Sequence, residues 1–318
     1  MSHVSEGYEW QIVDRIKETP DTYTYTFAPV TASQKFEFTI GQFVTISTLL
    51  KRPTVTGGLE ESMVQRTYSI ASSPTRDLIE LTIKGEKPYG YINPSTEKAD
   101  GFAEYFFEQI NKGDKVNVRS NPNKDHFLSR IAAGNEKNIA YWSGANGAES
   151  ARCLIQYMED MKNMDVNLTL FYSNPTLHIK DEQSDRSSLN VIYYEWLIKM
   201  ARKMDNFRVI FTFTREKETP VHSDHPRVRF RIGRFFNNPD GTKEKTLSRY
   251  YEDLDNIDSI FNPICGSSGF INGTVRLPDG KIKRGNGIKQ NLEEIEGVKP
   301  YKIDVEQYYL QQTVPGDK

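Results

Sequence analysis

Two folded units of different class are expected from this sequence. The first is an N-terminal antiparallel β-barrel over residues 1–134, and the second an α/β unit with a parallel sheet over residues 135–318. Three observations predict this. Short strand-like runs with a single amphipathic helix fill the first part, which is the pattern of a small barrel. From Glu136 onward strands and helices alternate, the pattern of a parallel sheet with crossover helices. At 318 residues the chain is long for one domain and comfortable for two.

In the barrel half, residues 22–28 (TYTYTFA) and 36–40 alternate apolar with polar, the two-residue period of a strand. Residues 41–47 (GQFVTIS) read as a buried strand, and Pro53, Gly57 and Gly58 mark a loop after it. Residues 66–74 (RTYSIASSP) then form the stretch on which the rest is organised. In a strand Arg66 and Tyr68 point one way and Thr67 and Ser69 the other. A guanidinium fork beside an aromatic ring suits a phosphate and a flat heterocycle. The same residues also suit an ordinary strand with Tyr68 in the core and Arg66 at the surface. Residues 78–84 and 115–119 are further strands, and residues 101–110 (GFAEYFFEQI) form the helix, with Phe102, Phe106 and Ile110 on one stripe.

In the second half, residues 138–142 form a short apolar strand, and residues 143–150 (SGANGAES) open a helix that runs to about residue 161. A glycine-bearing turn between strand and helix lets backbone approach a phosphate, and equally serves as a plain turn. A second strand, residues 167–173, ends at Ser173; a helix over 191–204 and a strand over 207–214 follow. Residues 227–234 (RVRFRIGR) alternate strictly, so that Arg227, Arg229 and Arg231 share one strand face. That suits an edge strand kept soluble by charge, a phosphate site, or a docking surface for an acidic partner. An apolar strand over 257–264 ends in Cys265-Gly266, and residues 301–306 form a closing strand.

Composition narrows the function. A net charge of −2 gives no global drive toward nucleic acid or an anionic membrane. No apolar run approaches the roughly 18–20 residues of a spanning helix, so no stable membrane insertion is expected. The first residues, MSHVSEGYEW, lack the charged-then-apolar pattern of a secretory signal. Two cysteines, Cys153 and Cys265, cannot supply the thiolates of an ordinary [2Fe–2S] cluster. A soluble, cytoplasmic protein is the expectation.

The motif Arg66-x-Tyr68-Ser69-x-x-Ser72, after a Gly-Gln-Phe-Val strand, resembles the flavin signature of the ferredoxin–NADP reductase family. The resemblance implies that Arg66 holds the FAD pyrophosphate, Tyr68 packs on the isoalloxazine, Ser69 approaches flavin N5, and Ser72 lies at the cofactor. Later family motifs follow in order. Gly101, Phe102 and Ala103 fall where the family binds pyrophosphate at a helix N-terminus, although Glu104 stands where a hydroxyl is usual. Gly144, Ala145 and Gly147 fall in the family's Gly-Gly-Thr-Gly-Ile-x-Pro turn for the NAD(P) pyrophosphate, with Ala145 replacing one glycine and Ser150 the proline.

Ser173 falls where the adenosine ribose is read, and neither NADP nor NAD is singled out. Cys265-Gly266-x-x-x-Phe270 resembles the family's Cys-Gly-x-x-x-Met, whose thiol lies beside nicotinamide C4. Glu306 matches the acidic residue of the closing strand, and Tyr308 or Tyr309 is placed to cover the flavin. The resemblance thus implies an FAD-binding barrel followed by a Rossmann-like NAD(P)-binding domain. Its activity would be that of a flavin oxidoreductase, with Ser69, Cys265 and Glu306 at the reaction centre. Without a cluster of its own, the implied partner is ferredoxin or a similar small electron carrier. A cluster-free oxygenase reductase, a cytochrome b5 reductase-like enzyme, or a flavin-carrying interaction subunit with a decayed nucleotide site would use the same motifs.

Overall fold

The computed structural model describes residues 8–31, 36–53, 59–85, 106, 109–121, 127–162, 164–180, 187–220, 223–238, 242–251, 256–276 and 281–307. Its first strands are β1 (Tyr8–Thr19), β2 (Thr22–Pro29), β3 (Phe43–Pro53), β4 (Leu59–Ser69), β5 (Ile79–Lys84) and β6 (Lys115–Asn121). Helix α1 (Phe127–Ala132), β7 (Asn138–Gly144), a 3-10 turn (Ala145–Gly147), α2 (Ala148–Met161), β8 (Asn167–Asn174), β9 (His178–Lys180) and β10 (Ser187–Leu189) follow. Then come α3 (Tyr194–Lys203), β11 (Phe207–Phe213), β12 (Val228–Ile232) and α4 (Thr246–Tyr250). The chain continues through β13 (Ile260–Gly266), α5 (Ser268–Asn272), β14 (Thr274–Arg276), β15 (Ile282–Arg284), α6 (Ile288–Asn291) and β16 (Ile303–Gln307). Two compact units result: Met1–Ala133 with Glu149–Met164 and His178–Tyr193, and Gly134–Ala148 with Asp165–Leu177 and Tyr194–Lys318.

The first unit is a six-stranded antiparallel sheet in the order β4-β3-β6-β1-β2-β5, barrel-like because Ala71 N–H, just past β4, donates to Glu80 O in β5 at 2.8 Å. Among the described residues β4 and β5 share no ladder, so the barrel is not closed by strand pairing. Alternation drives one face inward: Trp10 and Ile12 of β1, Tyr25 and Phe27 of β2, and Val44 and Ile46 of β3 are all buried. Phe106, set edge-on to Tyr25 at 5.1 Å, and Ile110 cover the same core. They are the described part of the helix expected over 101–110, and Ile110 N–H donates to Phe106 O at 2.9 Å.

Two expectations change here. Residues 36–40 make no ladder, although Phe36 packs edge-on against Trp10 at 5.3 Å. Alternation records an extended chain with one buried side, and a strand needs a hydrogen-bonded partner as well. Conversely, strands reach further toward the expected loop than foreseen: β3 and β4 pair from Phe43↔Ser69 out to Pro53↔Leu59, while Gly57 and Gly58, which mark that loop, lie outside the described residues. Both arms carry polar residues because their outer face meets water, which in sequence is indistinguishable from a loop.

Helix α2 packs in this unit through charge as well as through apolar contact. Arg152 forks onto Glu80, Nη1 to Oε2 at 2.6 Å and Nη2 to Oε1 at 3.2 Å, with side chains only 9% and 17% exposed. Burial pulls the Arg152 guanidinium toward losing its proton, but the Tyr193 ring and Glu80 carboxylate outweigh this and hold it above its ordinary value. Gln156 accepts from Ser73 N–H at 2.9 Å, and Tyr193 N–H donates to Glu18 at 3.2 Å. Tyr193 is left-handed at φ 61°, so α3 starts at Tyr194 and not at the expected residue 191.

The second unit is an all-parallel sheet in the order β12-β11-β8-β7-β13-β16. Its core stacks Trp142 on Phe171 at 4.1 Å and on Phe236 at 5.1 Å, and the indole N–H donates to Asn262 at 3.1 Å. The arginine-alternating stretch is the edge strand, and most of its charge is used within the fold. Arg227 donates to Ala201 O and pairs with Asp205, both at 2.8 Å, while Arg231 pairs with Glu244 at nearly buried positions. Arg229 is exposed.

Two outcomes are expected. Arg152→Ala or Glu80→Ala alone strands a buried charge and lowers the urea-unfolding free energy by about 3–5 kcal/mol, whereas Arg152→Met with Glu80→Met costs much less. At Asp160, burial works against the charge, but Arg76 and Thr75, at 3.0 and 2.5 Å, hold the carboxyl below its ordinary range. Its contribution is therefore present above the unfolded value of about 3.9 and fades as pH falls through the lower folded value. Asp160→Asn should cost about 1 kcal/mol at pH 7 and less as pH is lowered below about 3.9, measured by denaturant melts across that range.

Candidate active site

In a parallel sheet all the carboxyl ends lie along one edge, and ligands bind outside that edge where the strand order reverses. Here the reversal is at β7, which has β8 on one side and β13 on the other. The last residues of β7 and β13 are Gly144 and Gly266, with Ser173 paired to Gly144 across β8 and Cys265 paired to Glu306 across β16. Five residues predicted from sequence are thereby gathered at one edge of one sheet. Cys265 is fully buried, and its thiol donates to Glu306 Oε2 at 3.1 Å.

The turn after β7 is shaped by two contacts. Gly147 presses on β13 so closely that a Cβ there would lie 2.2 Å from Cys265 O. Ala145 holds φ 48°, a left-handed conformation that glycine adopts without cost, and its carbonyl accepts from Tyr172 OH at 3.0 Å. Ser143 Oγ near the end of β7, Asn146 Oδ1 in this turn, and Asn174 Nδ2 at the end of β8 are buried with no hydrogen-bond partner among the described residues. Buried polar groups are normally satisfied, so orphans clustered at a sheet's ligand edge fit a polar ligand. A glycine turn with such orphans suits a nicotinamide dinucleotide. Ser143, Asn146, Tyr172 and Asn174 were not found by sequence reasoning, since each looks like an ordinary strand or turn residue until the sheet is assembled.

In the first unit, Arg66 and Tyr68 lie opposite Ile46 and Val44, so they share the face that carries the core. Both are half-buried, and Tyr68 packs against the core's edge. Arg66 Nη1 donates to Gln65 O at 2.9 Å. Ser69 is buried on the opposite face, on the side where Thr67 and Thr45 share a hydrogen bond of 2.9 Å. A guanidinium and a phenol ring on one half-buried face form a donor set that fits a flavin dinucleotide. Ser72 is spent on the chain itself: its hydroxyl donates to Leu78 O at 3.1 Å and accepts from Glu80 N–H at 3.0 Å. Gly101, Phe102, Ala103 and Tyr308 lie outside the described residues.

Solved structures share this architecture. The FAD/NAD-binding domain of nitric oxide dioxygenase from Vibrio cholerae O1 biovar El Tor superposes with a TM-score of 0.61 at 13% identity, over 95% of this chain and 99% of that one. A ferredoxin NADP+ reductase from Neisseria gonorrhoeae, with bound FAD and NADP, gives 0.55 at 15% identity over 95% and 99%. The cytochrome b5 reductase domain of Ulva prolifera nitrate reductase gives 0.52 at 17% over 82% and 87%. The chain thus has the fold of the ferredoxin–NADP reductase type, an antiparallel barrel-like unit with a parallel α/β unit. No protein-family model matches the sequence, and no curated protein is similar to it in sequence. Among the described residues no helix is long and apolar enough to cross a membrane, and no group of metal-ligating side chains is assembled.

The turn's geometry carries its own test. Ala145→Gly relieves the left-handed strain and should raise unfolding free energy by about 0.5–1 kcal/mol. Gly147→Ala forces a Cβ onto the Cys265 carbonyl and should lower it by about 1–3 kcal/mol. Denaturant melts of both variants, with opposite signs expected, check the conformation assigned to the turn.

Proposed function

We propose that this chain is an FAD-dependent oxidoreductase that draws hydride from NADPH or NADH and passes electrons singly to a separate protein carrier, ferredoxin or one like it. The observation that carries the reading is the Cys265–Glu306 pair, placed beside Gly144, Ser173 and Gly266 on the ligand edge of the parallel sheet. Residues 1–134 are the proposed FAD-binding part and residues 135–318 the nucleotide-binding part. FAD accepts two electrons together and releases them one at a time, which is the chemistry a two-electron donor and one-electron acceptor require.

The chain's own residues bind and align. Arg66 offers a charged fork for pyrophosphate, Tyr68 a ring for packing, and Ser69 a hydroxyl for a ring nitrogen. Gly101, Phe102 and Ala103 would add backbone amides, and Tyr308 an aromatic cover. On the nucleotide side Gly144, Ala145 and Gly147 form the turn, and Ser173 the ribose contact. The Cys265 thiol, fixed by its bond to Glu306, presents a small polar wall against which a nicotinamide ring can be held in one orientation. The cytoplasm is the proposed location, which the two buried cysteines, too few for a disulfide framework, support. A net charge of −2 supports a small-molecule and protein-carrier role over nucleic-acid binding. A haem protein as acceptor is the second reading, favoured by the likeness to a cytochrome b5 reductase domain.

The purified protein should be yellow, and anaerobic NADPH or NADH should bleach its absorbance near the 450-nm flavin band. No bleaching with either nucleotide would sink the enzyme reading and leave a flavin-carrying subunit. Cys265→Ala should slow flavin reduction by about 10- to 100-fold in stopped flow while FAD content stays at the wild-type level. Reduction at the wild-type rate would remove the thiol from the mechanism.

A further inference from the structure

The crevice between β7 and β13 is covered by a side chain that the proposed chemistry does not use. A Cβ on Gly144 would lie 2.8 Å from Phe270 Cγ, and one on Gly266 would lie 2.9 Å from Phe270 Cδ1. The phenyl ring therefore rests directly on both glycine backbones, at the two strand ends that flank the reversal of strand order. The backbone beneath it is held at both ends. Phe270 N–H donates to Ser267 Oγ at 3.3 Å, and Gly273, at φ 67°, is packed so that a Cβ would lie 1.9 Å from Gly285 O. What can move easily is the side chain about its own torsions. The ring is half-buried and only leans on the apolar core.

Glycines at such a crevice are useful because a ligand's phosphate can approach the bare backbone. With the ring seated, that approach to Gly144 and Gly266 is already taken. Meanwhile Ser143 Oγ and Asn146 Oδ1, next in chain to Gly144 and Ala145, are buried without a hydrogen-bond partner among the described residues. Leaving such groups unpaired is costly, so a polar ligand at this turn would gain by pairing with them.

We propose that Phe270 is a gate on the nucleotide site: its ring covers Gly144 and Gly266 until a dinucleotide displaces it, and so sets the affinity for that ligand. The proposal rests on reading this crevice as the nicotinamide nucleotide site. The ligand binds only while the ring is swung aside, so the apparent affinity is the intrinsic affinity multiplied by the fraction of time the ring is away. A ring seated about nine-tenths of the time weakens binding about tenfold. A ring that instead served as a wall for the ligand to pack on would have the opposite effect when removed.

The test uses the full FAD-loaded chain and calorimetric titration with NADP+ and with NAD+. Phe270→Ala and Phe270→Met should each bind the better of the two nucleotides about tenfold more tightly than the parent, with FAD content unchanged. Methionine keeps a contact with the core, so it carries the test if the alanine variant does not fold. Phe270→Tyr keeps the ring and should keep the parent affinity. Binding by the Met variant that is equal to or weaker than the parent's overturns the gate, as does tightening by the Tyr variant to the same degree. If neither nucleotide binds the parent or any variant, the nucleotide reading of the crevice falls, and the gate with it. If the parent binds and the variants gain nothing, the gate alone falls.

Discussion

The close approach of Gly147 to the Cys265 carbonyl is the contact on which the ligand edge of the parallel sheet depends. No side chain fits between the turn and β13, since even a methyl group would stand 2.2 Å from that oxygen. The turn is thereby locked against the strand that carries Cys265, and Cys265 is locked by register and hydrogen bond to Glu306. Three segments far apart in sequence are brought to one edge by a missing Cβ and a parallel ladder. The chain accepts a left-handed Ala145 to complete that turn, and the Tyr172 hydroxyl on its carbonyl helps to hold it there. A non-glycine residue in this conformation costs of order 1–3 kcal/mol and persists only where the surroundings impose it.

Charge in this protein is largely turned to its own architecture. Arg152 and Glu80 form a buried fork, and Arg231 of the edge strand pairs with Glu244 through one nitrogen and with the Arg234 and Asn237 carbonyls through another. Arg227 clasps the C-terminal end of α3 through the Ala201 carbonyl, where a cation also meets the negative end of a helix. An arginine run that in sequence offers three charges on one face thus presents one, Arg229, to water, since its neighbours are drawn into ion pairs. A docking role for that strand would have to be carried by much less charge than its composition promises.

The aromatic residues divide similarly. Trp142, Phe171 and Phe236 form a stacked core with Phe235 edge-on to it, whereas Phe270 lies where a core and a ligand edge meet. Its backbone is held by a short helix pinned by Ser267 and Gly273, and its ring rests on the two glycines beneath it. The same glycines can seat a ring or admit a phosphate, and these uses exclude each other in space.

The sequence by itself determined the two-part architecture and the order of its motifs, because period-two alternation and strand–helix alternation are local properties of a chain. The resemblance of its motifs to a known family also marked Gly144, Ser173, Cys265, Gly266 and Glu306, and the assembled sheet brings these to one edge. Tertiary structure decided what no local pattern carries. The outer arms of the β3–β4 hairpin read as loop because their outward polar residues resemble one, and only the pairing out to Pro53↔Leu59 makes them strand. Residues 36–40 read as strand and lack a partner. Ser72 belongs to a motif yet bonds to Leu78 and Glu80, and Arg66 with Tyr68 turns out to share a face with the core. Which hydroxyl is consumed, which glycine is covered and which arginine is paired depend on neighbours many residues away, and those distances exist only once the sheets are assembled.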